Sequence, residues 1–335
     1  MEHGRSLVEH AQRRQYGNRE GPELGGSNRC FMMQITDTVL MIRPAAFGYN
    51  AETAANNHFQ FQTGLTSAAL QQAALQQFDA MVAVLRNEGI NVIVIEDTAE
   101  PTKPNAIFPN NWFTANNERL AVFPMFAPTR RLEKRTDIIE TLKEGFVVKH
   151  TDDWSHYEDG EQYLEGTGSM VIDHANKKIY ACSSPRTADD LVKNYADSIE
   201  YSAIVFSAAD EQNRSIYHTN VMLCIGEGFA VICLDAIKDN AEREMVQRSL
   251  LDAGQQLITI TQDQMAAFAG NMLQLKNRKG ERFIVLSQTA FDVLEPTQLK
   301  QLEAHGKLLA IDVSVIEQEG GSVRCMMAEI LLQPK

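Results

Sequence analysis

The sequence predicts a mixed α/β fold in which one unit of strand, strand, helix and strand is repeated five times. Amphipathic helical segments recur along the chain, and each begins at a residue suited to an N-cap, near Thr66, Thr129, Thr187, Asn240 and Thr297. These starts are about 53 to 63 residues apart. An apolar strand follows each helix, at residues 92–96, 146–149, 203–206, 257–260 and 308–315.

Candidate hairpins precede the helices and supply the other two strands of each unit. The clearest hairpins cover residues 169–182 and 221–234, and Gly226 and Gly228 form the turn of the second. Five such units fit a radial arrangement, in which each unit is a blade, the helices lie outside and strands line a central axis. A two-domain α/β protein with uneven crossovers fits the same pattern, so the pattern alone leaves both arrangements open.

The first 33 residues differ in composition from the rest of the chain. They contain arginine but no lysine, several glycines and no sustained apolar period. A signal peptide needs a continuous apolar core, and none precedes Met32. We therefore expect residues 1–33 to be a disordered extension and residues 34–335 to form a single catalytic domain.

Composition excludes several classes of function. The net charge of −13 and the pI near 5.1 argue against nucleic acid as a partner, because phosphate binding needs clustered lysine and arginine. No apolar run approaches the roughly 18 residues that cross a membrane. The chain has five cysteines, Cys30, Cys182, Cys224, Cys233 and Cys325. Their odd number and the lack of CxxC spacing indicate neither a disulfide framework nor a zinc site. The sequence therefore predicts a protein of the reducing cytoplasm.

Cys325 is the candidate nucleophile, because it follows a turn formed by Gly320 and Gly321 and is preceded by Arg324. A lone cysteine in an intracellular chain is more often a buried, inert side chain. Flanking glycines, a neighbouring arginine and a separate set of histidine and glutamate favour the nucleophile.

Two upstream motifs could provide the partners of such a cysteine. Residues 216–225 are predicted to form a strand, on which His218 and Asn220 share a face. The alternative is a hydrogen-bonded histidine at the edge of a blade. Glu165, before Thr167 and Gly168, is predicted to start another strand, where a buried carboxylate could hold an imidazole. The alternative there is a turn carboxylate in water.

A third motif, Asn110 and Asn111, follows Pro109, which excludes a central strand and by itself predicts a turn. In chain order, the motifs are residues 104–111, Glu165, residues 184–187, residues 218–220 and Cys325. Together they resemble the guanidino-group-modifying enzymes, the superfamily of arginine deiminases, amidinotransferases and dimethylarginine hydrolases. The resemblance covers about residues 35–332, and it implies a five-bladed α/β propeller, the pentein fold, with the cysteine at the end of the last blade.

The resemblance also implies residue roles. Cys325 is the nucleophile, His218 the general acid and base, and Glu165 orients the bound group. Substrate contacts are implied for Arg186, which holds an α-carboxylate, for Arg130 or Arg131 as a second such contact, and for Asn105. Arg130 and Arg131 could equally be a solvated helix start. No metal and no organic cofactor are implied.

Two positions depart from the arginine deiminases, which place aspartate where this chain has Asn111 and Asn220. Two carboxylates suit a guanidinium, whereas an amide offers both an acceptor and a donor, as the neutral ureido group requires. These residues resemble the citrulline-hydrolase branch of the superfamily and predict hydrolysis of citrulline to ornithine, ammonia and carbon dioxide.

The alternatives are an arginine deiminase, a dimethylarginine hydrolase or an amidinotransferase. A more distant alternative is a non-catalytic propeller that binds partners in the translation apparatus. The expected partner is a small-molecule substrate, either citrulline or an arginine-like amino acid. The sequence does not decide whether the protein forms a homo-oligomer.

Overall fold

A computed structural model describes residues 33–54, 56–60, 64 and 66–335. The predicted extension, apart from Met33, and Cys30 lie outside the described residues. Within the described part of the chain, each helix is too short or too polar to cross a bilayer.

Fifteen strands form the sheets of the described chain. They are β1 (Thr38–Arg43), β2 (Asn91–Glu96), β3 (Phe113–Asn116), β4 (Arg119–Val122), β5 (His150–Asp153), β6 (Val171–Asp173), β7 (Lys178–Cys182), β8 (Ser202–Phe206), β9 (Leu223–Ile225), β10 (Phe229–Ile232), β11 (Gln256–Thr259), β12 (Leu273–Lys276), β13 (Arg282–Ser287), β14 (Lys307–Ile311) and β15 (Ala328–Leu331).

The α-helices of the same residues range from single turns to 21 residues. They are α1 (Ala51–Ala54), α2 (Ser67–Asn87), α3 (Pro128–Arg131), α4 (Thr136–Gly145), α5 (Gly166–Ser169), α6 (Asp189–Ser198), α7 (Asn240–Asp252), α8 (Gln262–Ala266), α9 (Gln288–Val293), α10 (Pro296–Glu303) and α11 (Ser314–Glu317). Short 3-10 turns cover Pro109–Asn111, Ser155–Gly160, Thr219–Val221 and Leu234–Ala236.

Strand pairing repeats one pattern along the chain. In the unit β3, β4 and β5, the first two strands are antiparallel, the last two are parallel, and α4 connects the parallel pair. The units β6–β8, β9–β11 and β12–β14 have the same pairing, with α6, α7 and α10 in the place of α4. The mixed α/β fold is therefore confirmed.

The fifth unit combines the two ends of the described chain. Strand β1 is parallel to β2 across α2, and the C-terminal strand β15 supplies the antiparallel partner of β1. Strand β15 also pairs with β3, so that two units merge into one six-stranded sheet, in the order β2-β1-β15-β3-β4-β5. The segment just before β15, which carries Cys325, is thereby fixed between the first and last parts of the chain.

Residues just before β1 tie three units together. The side-chain amide of Gln34 donates to the carbonyl of Ile172 in β6 at 3.0 Å. The Thr36 hydroxyl donates to the carbonyl of Ile330 in β15 at 2.6 Å, and the backbone N–H of Lys276 in β12 donates to Thr36 at 3.0 Å. These bonds satisfy buried backbone carbonyls that the strands leave open, and they connect strands far apart in sequence.

Helix α2 shows how the helices pack. Its buried residues follow a spacing of three and four, at Leu70, Ala74, Phe78, Met81 and Leu85, and they join one apolar cluster with β1. That spacing puts all five on one helix face. Thr66 caps the helix by accepting the N–H of Ala69, as the sequence predicts.

Most predicted boundaries hold within two residues, but three are wrong. The helix that begins beside Thr129 is only the single turn α3, and the longer helix expected there begins at Thr136, after Arg135 in an extended conformation. The strand expected at 146–149 lies at His150–Asp153, because Phe146 packs in the core and bridges to Pro334 instead. The strand expected at 308–315 ends at Ile311.

Candidate active site

In each of the five units, one strand pairs antiparallel with the central strand. A buried polar residue, or in one unit the cysteine, lies shortly before that strand. These residues are Asn111 before β3, Asn220 before β9, Asn271 before β12, Cys325 before β15 and, in the unit of β6, Glu165 before the helix α5 that leads into the strand. All are at most 4% exposed. Cys325, His218, Asn111, Arg130, Arg186 and Asn105 line one pocket, together with Thr53, Asn57, Phe108, Tyr217, Glu319, Gly320 and Gly321.

The residues before these strands lie in turns, which corrects two predictions. His218 is an extended residue before the 3-10 turn Thr219–Val221, and the strand itself begins at Leu223. Glu165 precedes the one-turn helix α5 and not a strand. The hydroxyl of Thr219 explains the turn at His218, because it donates to the Ser169 carbonyl at 2.6 Å and accepts from the backbone of Cys182 at 2.8 Å.

His218 and Glu165 form a buried pair, in which Nε2 of His218 lies 2.8 Å from a carboxylate oxygen of Glu165. Burial lowers the pKa of His218 to about 4, although Glu165 acts against this; Arg186 and Arg130 lower it further. Burial acts to raise the pKa of Glu165, but Arg186, His218 and Arg130 together lower it to about 2. At neutral pH, Glu165 is ionised, His218 is neutral with its proton on Nε2, and Nδ1 carries the lone pair.

Gly168 explains why a glycine follows Glu165 at this spacing. A Cβ atom there would lie 2.3 Å from Nδ2 of Asn111 and 2.7 Å from Nδ1 of His218. Any side chain would displace one of these groups. The glycine therefore lets the Asn111 amide and the free nitrogen of His218 come close together.

Two amides surround the sulfur of Cys325. Nδ2 of Asn220 lies 3.5 Å and Nδ2 of Asn271 3.4 Å from Sγ, so both donate to the sulfur. Asn271 was missed in the sequence, although its position before β12 matches that of Asn111 before β3. Oδ1 of Asn220 has no hydrogen-bond partner among the residues described.

Arg130 is buried and fixes the orientation of Asn111. Its guanidinium donates to Oδ1 of Asn111 at 2.8 Å and makes two 2.9 Å hydrogen bonds to the carboxylate of Glu133. Because a guanidinium only donates, Asn111 must present its oxygen to Arg130 and its NH₂ group elsewhere. That NH₂ group has no partner within the described part of the chain.

Of the other residues predicted to contact the substrate, two line the pocket and one lies outside it. Arg186 is buried, donates to Asn56 at 2.7 Å and to the Thr53 carbonyl at 2.9 Å, and lies over the ring of Tyr217. Asn105 accepts from the amide of Asn50 at 2.7 Å and lines the pocket. Arg131 is 33% exposed, donates to the carbonyl of Met125 and lies outside the pocket lining.

The pocket holds about 20 Å³ of space, enough for one water molecule. A molecule the size of an amino acid therefore enters only if the walls move apart. Among the described residues, no three His, Cys, Asp or Glu side chains are grouped so as to hold a metal ion.

The sequence from 43 to 332 matches the family model for eukaryotic N,N-dimethylarginine dimethylhydrolase. No curated protein matches the chain. The structure resembles ArgZ, an arginine dihydrolase from the ornithine–ammonia cycle in cyanobacteria, with a TM-score of 0.67 and 16% identity over 89% of this chain and 41% of ArgZ. The N-terminal domain of ArgZ with bound product matches over 97% of its length, with a TM-score of 0.66.

A dimethylarginine dimethylaminohydrolase, as its adduct with 4-chloro-2-hydroxymethylpyridine, also has this fold, with a TM-score of 0.59 and 13% identity over 88% of this chain and 99% of that chain. The present chain thus spans about two-fifths of full-length ArgZ but almost all of its N-terminal domain. The family model covers most of the described residues, including every unit that carries a site residue. The chain belongs to the N,N-dimethylarginine dimethylhydrolase family of the guanidino-group-modifying, or pentein, superfamily.

Proposed function

We propose that this protein hydrolyses the ureido group of citrulline through Cys325 and releases ornithine, ammonia and carbon dioxide. The observation that carries the proposal is the orientation of Asn111. Arg130 holds its oxygen at 2.8 Å, so its unpartnered NH₂ group is available to a carbonyl oxygen. A ureido group has such an oxygen, and a guanidinium does not.

The charges around the site support a neutral reacting group. Glu165 lies 3.6 Å from Arg186 and 3.8 Å from Arg130, and it also accepts from His218. Glu133 is paired with Arg130. These two carboxylates are already engaged by cations, so a second guanidinium beside Arg130 would find neither of them free to compensate its charge.

The reaction begins when Cys325 forms a bond to the ureido carbon and its proton passes to Nδ1 of His218. His218 then gives this proton to the departing nitrogen as the C–N bond breaks, which leaves a carbamoyl or N-substituted carbamoyl group on the sulfur. Water next attacks the same carbon and gives a proton to His218. The C–S bond breaks, and His218 returns a proton to Cys325.

Two orders of departure give the same end products. If ornithine leaves first, hydrolysis releases carbamate, which decays to ammonia and carbon dioxide. If ammonia leaves first, hydrolysis releases N-carboxy-ornithine, which decays to ornithine and carbon dioxide. Both routes use Cys325, His218 and Glu165 in the same roles, with Glu165 fixing the tautomer of His218.

A second candidate function is hydrolysis of a guanidino amino acid, either arginine or a methylated arginine. The family model and the likeness to ArgZ and to the dimethylarginine hydrolase favour it at least as strongly as the citrulline reaction. The same cysteine, histidine and glutamate would serve, with a cationic carbon as the site of attack. Amidino transfer to an amine differs only in the acceptor.

We also propose that the five units form a closed five-bladed propeller. Strand β6 contacts β9, β9 contacts β12, and β15 pairs with β3, so the antiparallel strands of successive units adjoin. The bonds of Gln34 and Thr36 to β6, β15 and β12 fit a segment that crosses a common axis.

A product assay tests the proposed function. Purified protein is given citrulline, arginine, Nω,Nω-dimethylarginine or agmatine, and ornithine, citrulline and ammonia are measured. We expect ornithine and ammonia from citrulline, and a kcat/KM on arginine at least about 100-fold lower. A preference for arginine or its methylated form would establish the second candidate instead. Cys325→Ser serves as the control for contaminating activity.

A further inference from the structure

A buried carboxylate in the pocket takes no part in the reaction described above. Glu319 is 1% exposed and lies on the wall that also includes Cys325, Arg186 and Arg130. One carboxylate oxygen accepts from the side-chain amide of Gln60 at 3.0 Å. The other has no hydrogen-bond partner in the described residues.

A buried carboxylate with a free oxygen is costly unless a cation or donor fills the vacancy. Burial raises the pKa of Glu319 to about 7, and Gln60 and the backbone of Asn50 lower it only in part. The neighbouring Glu317 is different, because its two oxygens accept from Ser322 at 2.6 Å and from Thr289 at 2.7 Å. Of these two buried glutamates, Glu319 lines the pocket and Glu317 does not.

We infer that Glu319 binds the α-ammonium group of the substrate, an inference that rests on the proposed function. An amino acid is a zwitterion, and this pocket offers both signs of charge. Arg186 provides a guanidinium group for the carboxylate, while the free oxygen of Glu319 provides an acceptor for the ammonium.

This assignment makes Glu319 a specificity-determining residue for α-amino acids. A ureido compound that lacks the α-amino group leaves the carboxylate unpaired in the closed pocket, and an Nα-acetylated compound adds bulk without a charge. Both should therefore be poor substrates. The enzyme would act on free amino acids and not on citrulline within a peptide, whose nitrogen is an uncharged amide.

The test compares citrulline with 5-ureidopentanoic acid, which differs only by the α-amino group. Wild-type protein should favour citrulline by about 10- to 100-fold in kcat/KM. Glu319→Gln should reduce kcat/KM on citrulline by a similar factor, mainly through KM, and change the value on 5-ureidopentanoic acid less than about threefold. Glu317→Gln is the matched control and should keep the wild-type ratio between the two compounds.

A binding measurement keeps the assignment testable if the proposed function is wrong. Calorimetry on Cys325→Ser compares ornithine with 5-aminopentanoic acid, with and without Glu319→Gln. A preference for ornithine that Glu319→Gln removes supports the assignment even if no ureido compound is cleaved. Equal losses on both ureido compounds, or unchanged binding of ornithine, overturn it even if citrulline is the substrate.

Discussion

The turns before the antiparallel strands and the helices between the parallel strands belong to the same repeated unit but are built differently. Helix α2 buries its apolar face and exposes the opposite face. The spacing of apolar residues within this one segment is enough to specify that arrangement. The turns bury polar groups that find their partners in other units, as Glu165 does with His218 and Asn271 with Cys325. The helices thus stabilise each unit, whereas the turns form a site only when several units meet.

The cysteines show the same contrast within one residue type. Cys182 and Cys224 lie in strands, where burial raises the pKa to about 11 and about 12. Cys233 lies directly after β10, and burial raises its pKa to about 11. Cys325 is also buried, but it lies in a turn between two amide donors. Position in the unit therefore separates the candidate nucleophile from the inert thiols.

Replacing the cysteine of the turn should have the largest effect on activity. Cys325→Ser should abolish turnover, because a serine alkoxide is far harder to form at neutral pH than a thiolate. Cys233→Ser alters a strand-end thiol and should change kcat/KM less than about threefold. Steady-state rates on citrulline and circular dichroism spectra of both variants measure this. Wild-type turnover by Cys325→Ser would exclude the covalent mechanism.

Charge placed in the turns should have the next largest effect, and the two asparagines should differ. Asn220→Asp puts a carboxylate beside the Cys325 sulfur, now 3.5 Å from the amide, and should reduce kcat/KM on citrulline by about 100-fold or more. Asn111→Asp puts the charge against the guanidinium of Arg130, which compensates part of it, so the loss should be smaller.

Rates of both variants on citrulline and on arginine test this order. The double variant should bind arginine more tightly than the wild type does, as inhibition constants would show. A larger loss from Asn111→Asp than from Asn220→Asp would contradict the placement of Arg130 against Asn111.

The pH dependence should separate the two titrating groups of the pocket. His218 must be neutral to accept a proton, and its pKa is lowered to about 4, so kcat/KM should fall about tenfold per pH unit only below that value. Glu319 must be ionised to bind an ammonium, and its pKa is raised to about 7, so KM should improve as the pH rises through 7.

Other charged groups on the same pocket do not produce this difference. Arg130 and Arg186 stay protonated, and Tyr217 stays neutral because burial raises its pKa. A pH profile of Glu319→Gln on citrulline should therefore lack the change near 7. If the variant keeps the change near pH 7, a group other than Glu319 causes it.

The helices could be predicted from the sequence because periodicity and caps are local. Thr66 and Asn240 mark the starts of α2 and α7 within one residue. The strand predicted to begin at Phe146 was wrong, because an apolar side chain indicates burial but does not indicate which backbone segment pairs in the sheet. Asn271 carries no local signal, since an asparagine in a turn is common and its role depends on β12 lying beside the cysteine of another unit.

The smallest effect is expected from a helix cap far from the turns. Asp239 accepts the N–H of Glu242 at 2.9 Å and begins α7, so Asp239→Ala should lower the free energy of unfolding by about 1 kcal/mol. Asp239→Asn retains an acceptor and should recover most of this loss. Urea denaturation of the three proteins gives the free energies, and kcat/KM on citrulline should stay within about twofold. A loss of activity parallel to the loss of stability would show that the helices and the turns are more tightly coupled than their separate contacts indicate.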